Sequence, residues 1–567
     1  MSLTAEDLRL KAEKWLSSDF DTETREAIKK LIDGPQELLE DAFYTSLAFG
    51  TGGMRGIMGV GDNRINKYTL GKATQGLSDY LKKQFPNESL KVVIAYDCRH
   101  NSDTLARTVA EVFSANGIQV SLFSSLRPTP ELSFAVRHLD CHCGIVLTAS
   151  HNPPEYNGYK VYWEDGGQLV PPEDADIIKT IDALNYQDIR FDADESLIQL
   201  IDDEVDEAFV AASMAAVSKH ASVEDRKGLK VVFTPLHGTS VTMVPRVLSA
   251  AGFESLHLVQ EQAQPDGDFP TVSSPNPEEP QALQMAIDQA NEINADLVIG
   301  TDPDCDRLGI AVRDDSGTLT LLNGNQAMVI KTHFLLNGLN KNALNKNAFI
   351  ASTIVSTPMM GLLAQDFGVD YKEGLTGFKW IAKMVKDFPQ QHFIGGGEES
   401  FGFMVGDFVR DKDAVTASLL ICEIAAYLKG QNTSVWAYLQ KLYDQYGHYR
   451  EALVSQVKKG RQGADEIKAI MSEFRTNPPK RIAASAVIKI EDYLKQTVTE
   501  LPSGSEFALD LPKANVLIFY TENGAKIAAR PSGTEPKIKY YISVRAGSKS
   551  MLDPQIKAIK KDLNLQP

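Results

Sequence analysis

The sequence is poor in cysteine and in uninterrupted apolar runs, and these two absences exclude several classes of protein. Five cysteines in 567 residues are too few, and odd in number, for the disulfide framework of a secreted scaffold, so we expect reduced thiols. The segment Cys141-His142-Cys143 lacks the spacing of zinc ligands, which favours a strand edge instead. No apolar run approaches the ~18 residues of a membrane span, and the charged N-terminus lacks a signal-peptide core. We therefore expect a soluble, cytoplasmic protein.

Basic residues are in the minority. The 58 Lys and Arg against 75 Asp and Glu leave a formal net charge of −17, which opposes binding to nucleic acid or to an anionic membrane. We expect neither partner. Apolar residues at 43% and charged residues at 23% are typical of folded soluble proteins, and the length suits roughly three to five domains.

A local pattern of strand, helix, glycine and strand occurs three times. The three copies begin at the apolar segments 91–96, 230–235 and 349–355, and their glycines are Gly117, Gly252 and Gly368. A glycine at each place provides the positive φ that ends many helices. The first strands end near Asp97, His237 and Ser356, at the sheet edge where open α/β sheets gather ligand-binding residues. After about residue 440 the pattern changes to a helix ended by two prolines and then short alternating strands.

The sequence thus predicts an α/β protein in which three similar α/β domains with mixed sheets precede a smaller α+β C-terminal domain, around one central cleft. The predicted domains are 1–205, with a helical extension at 1–45, then 206–320, 321–445 and 446–567. The last begins with a helical linker.

The polar loop TASHNPPEYNGYK follows a strand predicted to be buried. Its two prolines fix φ and its Asn and Gly favour tight turns, so the loop should present Ser150 in one conformation, as a nucleophile requires. Thr148 and Asn152 replace the glycines of a hydrolase elbow, which argues against a Ser-His-Asp triad. A plain structured turn is the alternative if the segment is read alone.

The segment GTDPDCDR places three carboxylates at alternate positions after an apolar strand. In an extended chain Asp302, Asp304 and Asp306 would point to one side and could converge on a hard divalent cation such as magnesium. An EF-hand is excluded because Arg307 and Arg313 stand where its glycine and glutamate belong. A solvated acidic turn is the alternative.

Two more segments offer groups for a polar ligand. In GGGEESFG the glycines permit close backbone approach, and Glu398 and Ser400 suit sugar hydroxyls, although a flexible loop explains the glycines equally well. The same predicted domain contributes Thr376-Gly377-Phe378-Lys379 upstream and Arg410 and Lys412 downstream. In RPSGTEPKIK, Arg530 can bind a phosphate bidentately while Ser532, Thr534 and the amide of Gly533 donate to it. A basic hairpin tip without a ligand is the alternative there.

These four motifs, in this order, closely resemble those of the α-D-phosphohexomutase superfamily over nearly the whole chain. TASHNPPEYNGYK is similar to the phosphoserine loop of that family, DPDCDR to its magnesium loop, GEES to its sugar-binding loop and RPSGTEPK to its phosphate-binding loop. The FGTGGMRG segment (49–56), GEES and RPSGTEPKIKYY are most similar to the bacterial branch that contains phosphoglucomutases and phosphopentomutases.

The resemblance implies a role for each motif residue. Ser150 would carry the phosphoryl group in the resting enzyme and would complete, with Asp302, Asp304 and Asp306, the site of one Mg²⁺. The other implied catalytic residues are Arg55, His151, Lys160 and Lys379. The implied substrate-binding residues are Thr376, Gly377, Glu398, Ser400, Lys412, Arg530, Ser532, Gly533, Thr534 and Lys539.

The implied reaction interconverts glucose 1-phosphate and glucose 6-phosphate, with glucose 1,6-bisphosphate as intermediate and activator. The intermediate must turn around between the two phosphoryl transfers. Some relatives carry a histidine after the sugar-binding serine, but this chain has Phe401 there, so Lys160 and Lys379 are the candidate bases. Either lysine would need a lowered pKa for that role. Cys305 stands where alanine is common.

Other functions remain open at this stage. A phosphopentomutase or phosphomannomutase would differ in a few loop residues, although GEES favours glucose over mannose. A protein that binds sugar phosphates without catalysis, and a phosphatase in which water replaces the sugar, are the further alternatives. We expect a monomer or a homodimer.

Overall fold

A computed structural model describes residues 4–50, 52–339, 347–458, 460–532 and 537–565. Its helices, numbered in chain order, are α1 (Ala5–Lys14), α2 (Thr22–Ile32), α3 (Gln36–Phe43), α4 (Lys67–Gln84), α5 (Ser102–Ala115), α6 (Thr129–His138), α7 (Glu173–Asp182), α8 (Asp203–Ala216), α9 (Val223–Gly228), α10 (Ser240–Ala250), α11 (Gln284–Glu292), α12 (Gly324–Gly338), α13 (Met359–Phe367), α14 (Lys379–Asp387), α15 (Ala414–Gly430), α16 (Val435–Tyr446), α17 (Gly460–Thr476) and α18 (Leu552–Asp562).

Its strands are β1 (Gly53–Ile57), β2 (Lys91–Tyr96), β3 (Gln119–Phe123), β4 (Cys143–Leu147), β5 (Tyr156–Trp163), β6 (Ile198–Ile201), β7 (Val231–Thr234), β8 (Leu256–Leu258), β9 (Leu297–Thr301), β10 (Leu308–Arg313), β11 (Leu319–Leu322), β12 (Ala348–Thr353), β13 (Asp370–Gly374), β14 (His392–Gly397), β15 (Phe403–Val405), β16 (His448–Val457), β17 (Arg481–Ile482), β18 (Ser485–Asp492), β19 (Thr497–Glu500), β20 (Ser505–Ala508), β21 (Leu517–Thr521), β22 (Lys526–Pro531) and β23 (Lys537–Ala546).

The chain forms two compact units. Unit 1 comprises Met1–Gly324 and Phe378–Ser434, and unit 2 comprises Asn325–Gly377 and Val435–Pro567.

Unit 1 contains two mixed sheets of the same design. In the first sheet the strand order is β1-β5-β4-β2-β3-β6, and in the second it is β11-β10-β9-β7-β8. In both sheets a parallel group of strands is followed by antiparallel strands on one side only. The mixed sheets expected from the sequence are therefore confirmed.

The three repeats form as predicted. In each repeat the two strands are parallel neighbours, β2 with β3, β7 with β8 and β12 with β13, and a helix lies between them in sequence. The glycines that follow these helices, Gly117, Gly252 and Gly368, have φ values of 76°, 89° and 67°. Only a residue without a Cβ adopts that conformation at little cost, which is why the pattern could be read from the sequence.

The first sheet of unit 1 is covered on both faces. Along β2, Val92 and Ile94 pack into a core with α4, α5 and α7, whereas Val93 and Ala95 pack into a second core with α6. Neighbouring strand residues point to opposite faces, so a strand buried on both faces reads as a continuous apolar run.

The predicted N-terminal helical extension is also present. Helices α1, α2 and α3 pack around Trp15, whose ring stacks on Phe20 with centroids 4.6 Å apart. Further on, Cys143 is the first residue of β4, and His142 contacts the Glu88 carboxylate at 3.0 Å. The strand-edge interpretation of the Cys-His-Cys segment is therefore confirmed.

Unit 2 contains the β12 and β13 pair and an antiparallel sheet in the order β16-β23-β22-β21-β18-β19-β20, with β17 paired to β18. Helices α17 and α18 contribute Ile467, Met471, Ile556 and Ile559 to its core. This is the α+β arrangement predicted for the C-terminal part. None of the described helices combines the length and the apolar character needed to cross a bilayer.

Candidate active site

Three polar loops of unit 1 follow the same structural rule. Each connects two antiparallel neighbouring strands: β4 with β5, β9 with β10, and β14 with β15. The first loop carries Ser150, the second the three aspartates, and the third Glu398 and Ser400. Strand pairs fix both ends of each loop, so the sheets position the residues at the loop tips.

Ser150 is buried and adopts an unusual backbone conformation. Its φ is 51°, its amide donates to Thr148 Oγ1 at 2.8 Å, and the residue is 3% exposed. The Ser150 hydroxyl donates to Asp302 Oδ2 at 2.8 Å, and the imidazole Nδ1 of His151 lies 3.1 Å from Ser150 Oγ. A positive φ in a residue other than glycine is strained and concentrates at functional sites.

The three aspartates converge, as the sequence predicted, although not because the chain is extended. Residues 302–307 form a tight turn in which Cys305 has a φ of 58°. Asp302 Oδ1 accepts the amides of Asp306 at 3.0 Å and Arg307 at 2.9 Å, which closes the turn. One carboxylate oxygen of each aspartate lies within 4.8 Å of the others, and all three residues are buried. The aspartates converge because the chain turns tightly at 302–307, and not because alternate residues of a strand point to one side.

Cations compensate the buried negative charge. Lys160 Nζ lies 2.6 Å from Asp304 Oδ2 and 3.2 Å from Asp306 Oδ2, and Lys412 Nζ lies 3.0 Å from Asp306 Oδ2. Burial would lower the pKa of Lys160, but Asp304 and Asp306 outweigh that effect and raise it. Burial would likewise raise the pKa of Asp306, but Lys412, Lys160 and Arg307 hold it below its usual value. Both lysines are therefore cations at neutral pH.

The acidic cluster suits a hard divalent cation. Among the described residues, Asp304 Oδ1 and Asp306 Oδ1 are buried side-chain oxygens without a hydrogen-bond partner. Buried carboxylate oxygens without a donor are costly unless a cation binds them. All three side chains offer oxygen, the donor that magnesium and calcium prefer. The residues present therefore fit a metal ion, and they are the one group with this geometry in the part of the chain that the structure describes.

The GEES segment adjoins the acidic turn directly. Arg307 forms an isolated antiparallel bridge with Gly402, and the Leu308 amide donates to the Phe401 carbonyl at 3.1 Å. Glu398 is 6% exposed, and burial raises its pKa to about 7 although Lys412 acts in the opposite direction. A Cβ on Gly402 would lie 2.4 Å from Lys412 Cδ, so glycine allows the lysine to pass this loop.

The remaining predicted residues of unit 1 fall into two places. Arg55 on β1 is exposed and donates to Asn152 Oδ1 at 2.9 Å, which places it beside the Ser150 loop. Lys379 begins α14 and lines a small cavity with Trp163 and Glu173. Burial lowers the pKa of Lys379, and the opposing effect of the Asp174 carboxylate, which raises it, is smaller.

Unit 2 holds the predicted phosphate-binding residues that are described. Arg530 on β22 lies directly opposite Lys539 on β23, so the two basic side chains share one face of the sheet. The Ser532 amide donates to the Lys537 carbonyl at 2.7 Å. Thr376 and Gly377 follow β13, and Gly377 has a φ of 107°. Gly533 and Thr534 lie outside the described residues.

Three residues of the site were not identified from the sequence. Arg99 donates to several carbonyls of the Ser150 loop. Thr129, at the start of α6, donates its amide to the Asp304 main-chain carbonyl at 2.9 Å and its hydroxyl to Asp304 Oδ2 at 3.2 Å. Asp411 accepts from Lys412 Nζ at 3.1 Å. The available signal was their position in polar segments beside the motifs, which by itself does not separate a site residue from a surface one.

Comparison with known proteins agrees with this geometry. The family models described as phosphoglucomutase/phosphomannomutase, alpha/beta/alpha domains I, II and III, match residues 46–188, 207–317 and 323–446. A phosphoglucomutase of Staphylococcus epidermidis is 41% identical over 89% of this chain and 92% of its own. A phosphoglucomutase of Staphylococcus aureus is 38% identical over 94% of this chain and 95% of its own.

Solved structures share the fold. The open form of parafusin, a phosphoglucomutase from Paramecium, superposes with a TM-score of 0.67 at 18% identity, covering 92% of this chain and 95% of that one. A phosphoglucomutase/phosphomannomutase family protein from Burkholderia thailandensis gives a TM-score of 0.65 at 19% identity, covering 91% and 96%. The chain belongs to the phosphoglucomutase/phosphomannomutase family.

Proposed function

We propose that this protein is a phosphoglucomutase, an enzyme that interconverts glucose 1-phosphate and glucose 6-phosphate through a phosphoserine at position 150. One observation carries the proposal: the Ser150 hydroxyl lies 2.8 Å from Asp302 in a buried acidic cluster to which Lys160 is also bound. A serine held among carboxylates and a cation is poorly suited to acyl transfer but well suited to carrying a phosphoryl group. The names of the relatives that are 38 to 41% identical over most of the chain support the same substrate.

In the first transfer, the bond from phosphorus to Ser150 Oγ breaks and a bond to the 6-hydroxyl of glucose 1-phosphate forms. The hydroxyl loses its proton, and the departing Oγ gains one. Lys160, held as a cation beside the cluster, can stabilise the transferring charge, and Arg55, which contacts the Ser150 loop, can approach from the exposed side.

The second transfer reverses the roles. The bound glucose 1,6-bisphosphate turns, and the bond from phosphorus to its O1 breaks as a bond to Ser150 Oγ forms. The Ser150 hydroxyl releases a proton, and O1 gains one to leave glucose 6-phosphate. Burial, with the charges of Arg307 and Arg55, lowers the pKa of His151, so the imidazole is neutral at pH 7. Its Nδ1 lies 3.1 Å from Ser150 Oγ and can accept that proton.

Asp302, Asp304 and Asp306 would hold the metal ion, together with an oxygen on Ser150. We propose Mg²⁺, which neutralises developing phosphoryl charge when bound, because magnesium commonly combines a few carboxylates with substrate phosphate oxygens. Thr129 and the turn amides orient these carboxylates from outside the cluster.

The substrate would be held at two ends. Glu398 and Ser400 are proposed to bind the sugar hydroxyls, and Lys412, beside the cluster, to bind the phosphoryl side. Arg530, Ser532, Gly533, Thr534 and Lys539 are proposed for the phosphate that does not react, with Thr376 and Gly377 as further contacts. The opposed Arg530 and Lys539 supply two positive charges on one sheet face, which supports this assignment.

The base for the sugar hydroxyl is one of the two lysines considered from the sequence. A base must lose its proton near neutral pH, and the two pKa values move in opposite directions, upward for Lys160 and downward for Lys379. The direction of its pKa favours Lys379. We further propose a cytoplasmic monomer or homodimer.

The test is a panel of initial rates with glucose 1-phosphate, mannose 1-phosphate and ribose 1-phosphate, each with Mg²⁺ and a trace of the matching bisphosphate. We expect the fastest turnover with the glucose substrate. Ser150→Ala should reduce kcat to background because the proposed mechanism carries the phosphoryl group on the Ser150 hydroxyl. Ser78→Ala is the matched control, since Ser78 is also buried but donates to the Thr74 carbonyl within α4.

Each other result has a defined meaning. Faster turnover of ribose 1-phosphate or mannose 1-phosphate would make the protein a phosphopentomutase or a phosphomannomutase. Turnover that survives Ser150→Ala would contradict the phosphoserine mechanism. Failure of folded, Ser150-phosphorylated protein to convert any of the three would contradict a mutase activity.

A further inference from the structure

Arg99 makes an unusual set of contacts with the loop that carries Ser150. The residue follows β2 and is 3% exposed. Its Nη1 donates to the carbonyls of Pro153 at 2.7 Å and Tyr156 at 2.9 Å, and its Nη2 donates to the carbonyls of Ser150 at 2.7 Å and of Asn152. One guanidinium therefore binds four carbonyls of a single loop.

The loop requires such a donor because of its own sequence. Pro153 and Pro154 have no amide hydrogen, and the segment before β5 forms no regular secondary structure. Its inward-facing carbonyls must therefore find a donor elsewhere or remain unsatisfied at a cost. Arginine offers five N–H groups in a rigid plane, whereas lysine offers three on one atom at the end of a flexible chain.

Arg99 is itself held from two sides. On one side Asp97 accepts the Arg99 amide at 2.9 Å, and its Oδ2 lies 3.5 Å from Arg99 Nε. On the other side the ring centroid of Phe269 lies 5.2 Å from the guanidinium carbon, a cation–π contact. Phe269 belongs to the part of unit 1 whose sheet also carries the acidic turn, so Arg99 connects the serine loop to that part.

A close backbone approach stabilises the same connection. Gly267 packs so tightly against the segment that contains Arg99 that a Cβ there would lie 2.8 Å from the His100 amide nitrogen. The Phe269 segment therefore cannot move away from Arg99 without losing packing on both sides.

We propose that Arg99 is a positioning residue for phosphoryl transfer: its four hydrogen bonds hold the loop in the conformation that places Ser150 Oγ against the acidic turn. This inference rests on the proposed mutase function. Ser150 has a φ of 51°, which the surrounding contacts must maintain. Among the described residues, the hydrogen bonds that the Arg99 guanidinium donates go to carbonyls of the loop and of Tyr156 at its end, so Arg99 acts through Ser150 and not on the sugar.

The consequence is a specific kinetic signature. Without the guanidinium plane the loop samples other conformations, and Ser150 Oγ spends less time in the reactive position. A displacement of about 1 Å can reduce a rate by about 100-fold. Arg99→Lys keeps the charge but cannot reach four carbonyls, so we expect kcat to fall about 10- to 100-fold. KM for glucose 1-phosphate should stay within about twofold, because the sugar contacts are elsewhere.

Arg226→Lys is the matched control. Arg226 is also buried in unit 1 and binds the Glu423 carboxylate through Nε at 2.8 Å and Nη2 at 3.1 Å, without contact to the Ser150 loop. Both variants exchange a buried arginine for lysine, so their melting temperatures should fall by similar amounts. Rates should be divided by the fraction of Ser150 phosphorylated, measured by intact mass.

Hydrogen–deuterium exchange separates positioning from activity. Arg99→Lys should increase exchange in a peptide covering 148–157, and Arg226→Lys should not. If Arg99→Lys does not fold, Phe269→Leu replaces it: this change keeps the four hydrogen bonds, removes the ring face and should lower kcat about two- to fivefold with faster exchange in the same peptide.

The outcomes distinguish this inference from the proposed function. A kcat for Arg99→Lys within twofold of the Arg226→Lys value, with unchanged exchange at 148–157, would overturn the positioning role even in an active mutase. Increased exchange in a protein that is inactive as wild type would support the loop anchor while rejecting the proposed function.

Discussion

At the scale of single residues, the site is built from charges that compensate one another. Three buried aspartates lie within reach of Lys160, Lys412 and Arg307, and each lysine contacts a carboxylate at 3.2 Å or less. Removing one partner would leave an unpaired buried charge, which costs far more than the pair contributes. We therefore expect a substitution that removes one of these charges to lower stability.

Glu398 gives a prediction about pH. Its pKa of about 7 in the folded protein, against an ordinary 4.5, means that the folded state binds more protons between these values. This contribution to stability is complete below pH 4.5 and is lost as pH rises through 7. Glu398→Gln removes this titrating group. Between pH 5 and pH 8 the free energy of unfolding of the variant should therefore rise, relative to that of the wild type, by about 1 to 3 kcal/mol. Urea unfolding at both pH values measures this gain.

The comparison for this experiment is Glu399→Gln, at the neighbouring and more exposed position of the same loop. The charge of Glu399 adds to the rise in the pKa of Glu398, so removing it should reduce but not abolish the loss of stability between pH 5 and pH 8. An equal change for both variants would mean that the effect belongs to the charge of the loop and not to the burial of Glu398.

At the scale of secondary structure, β5 is central to the serine loop. It pairs with β4 on one side and β1 on the other, which brings Lys160 into register with Val146 and Arg55 opposite Gly158. Strand β5 therefore carries one proposed cation, Lys160, and its neighbour β1 carries another, Arg55. A change that displaces β5 should affect both the fold and the reaction.

Gly158→Ala tests this role. A Cβ at Gly158 would lie 2.4 Å from the Thr148 carbonyl oxygen and 2.8 Å from that of Met54, both backbone atoms that cannot rotate away. Overpacking of this kind costs about 1 to 3 kcal/mol. We expect a lower melting temperature and, because Thr148 holds the amide of Ser150, a lower kcat in the same variant.

Gly228→Ala is the corresponding control. Gly228 ends α9, has open space where its Cβ would stand, and alanine favours helix over glycine. Its stability and kcat should equal or exceed those of the wild type. If Gly158→Ala behaved like this control, β5 could shift to accommodate a Cβ, which would contradict its tight packing between β4 and β1.

At the scale of the whole molecule, the net charge of −17 opposes any further concentration of negative charge. The acidic cluster is one place where this negative charge is concentrated, so a bound divalent cation should stabilise the folded protein. Linkage predicts a gain of about 2.7 kcal/mol when the free ion is at 100 times its dissociation constant. We expect Mg²⁺ to raise the melting temperature of chelator-treated protein and to restore turnover.

Asp304→Asn should abolish this Mg²⁺-dependent rise, because the cluster loses one ligand charge. Asp288→Asn, an exposed site on α11, should retain it and so corrects for general screening of the acidic surface. An equal rise in both variants would place the metal effect outside the Asp302, Asp304 and Asp306 cluster.

The sequence alone determined which segments of the chain carry the candidate site residues. Ser150, the three aspartates and the three helix-ending glycines could be predicted because each depends on local chemistry. A tight turn, a set of oxygen ligands or a positive φ restricts the residue types at a few neighbouring positions. The alternation of apolar segments with helices was readable for the same reason, and it gave the α/β class and the α+β end.

Only the tertiary structure decided which of these residues meet. Lys160 and Asp304 are 144 residues apart in sequence, yet their contact is 2.6 Å, and Arg99 reaches a loop 51 to 57 positions away. The opposite pKa shifts of Lys160 and Lys379 depend on burial and neighbours that no local pattern contains. The physical reason is that strand register and burial are sums over contacts distant in sequence, whereas turns and caps are satisfied locally.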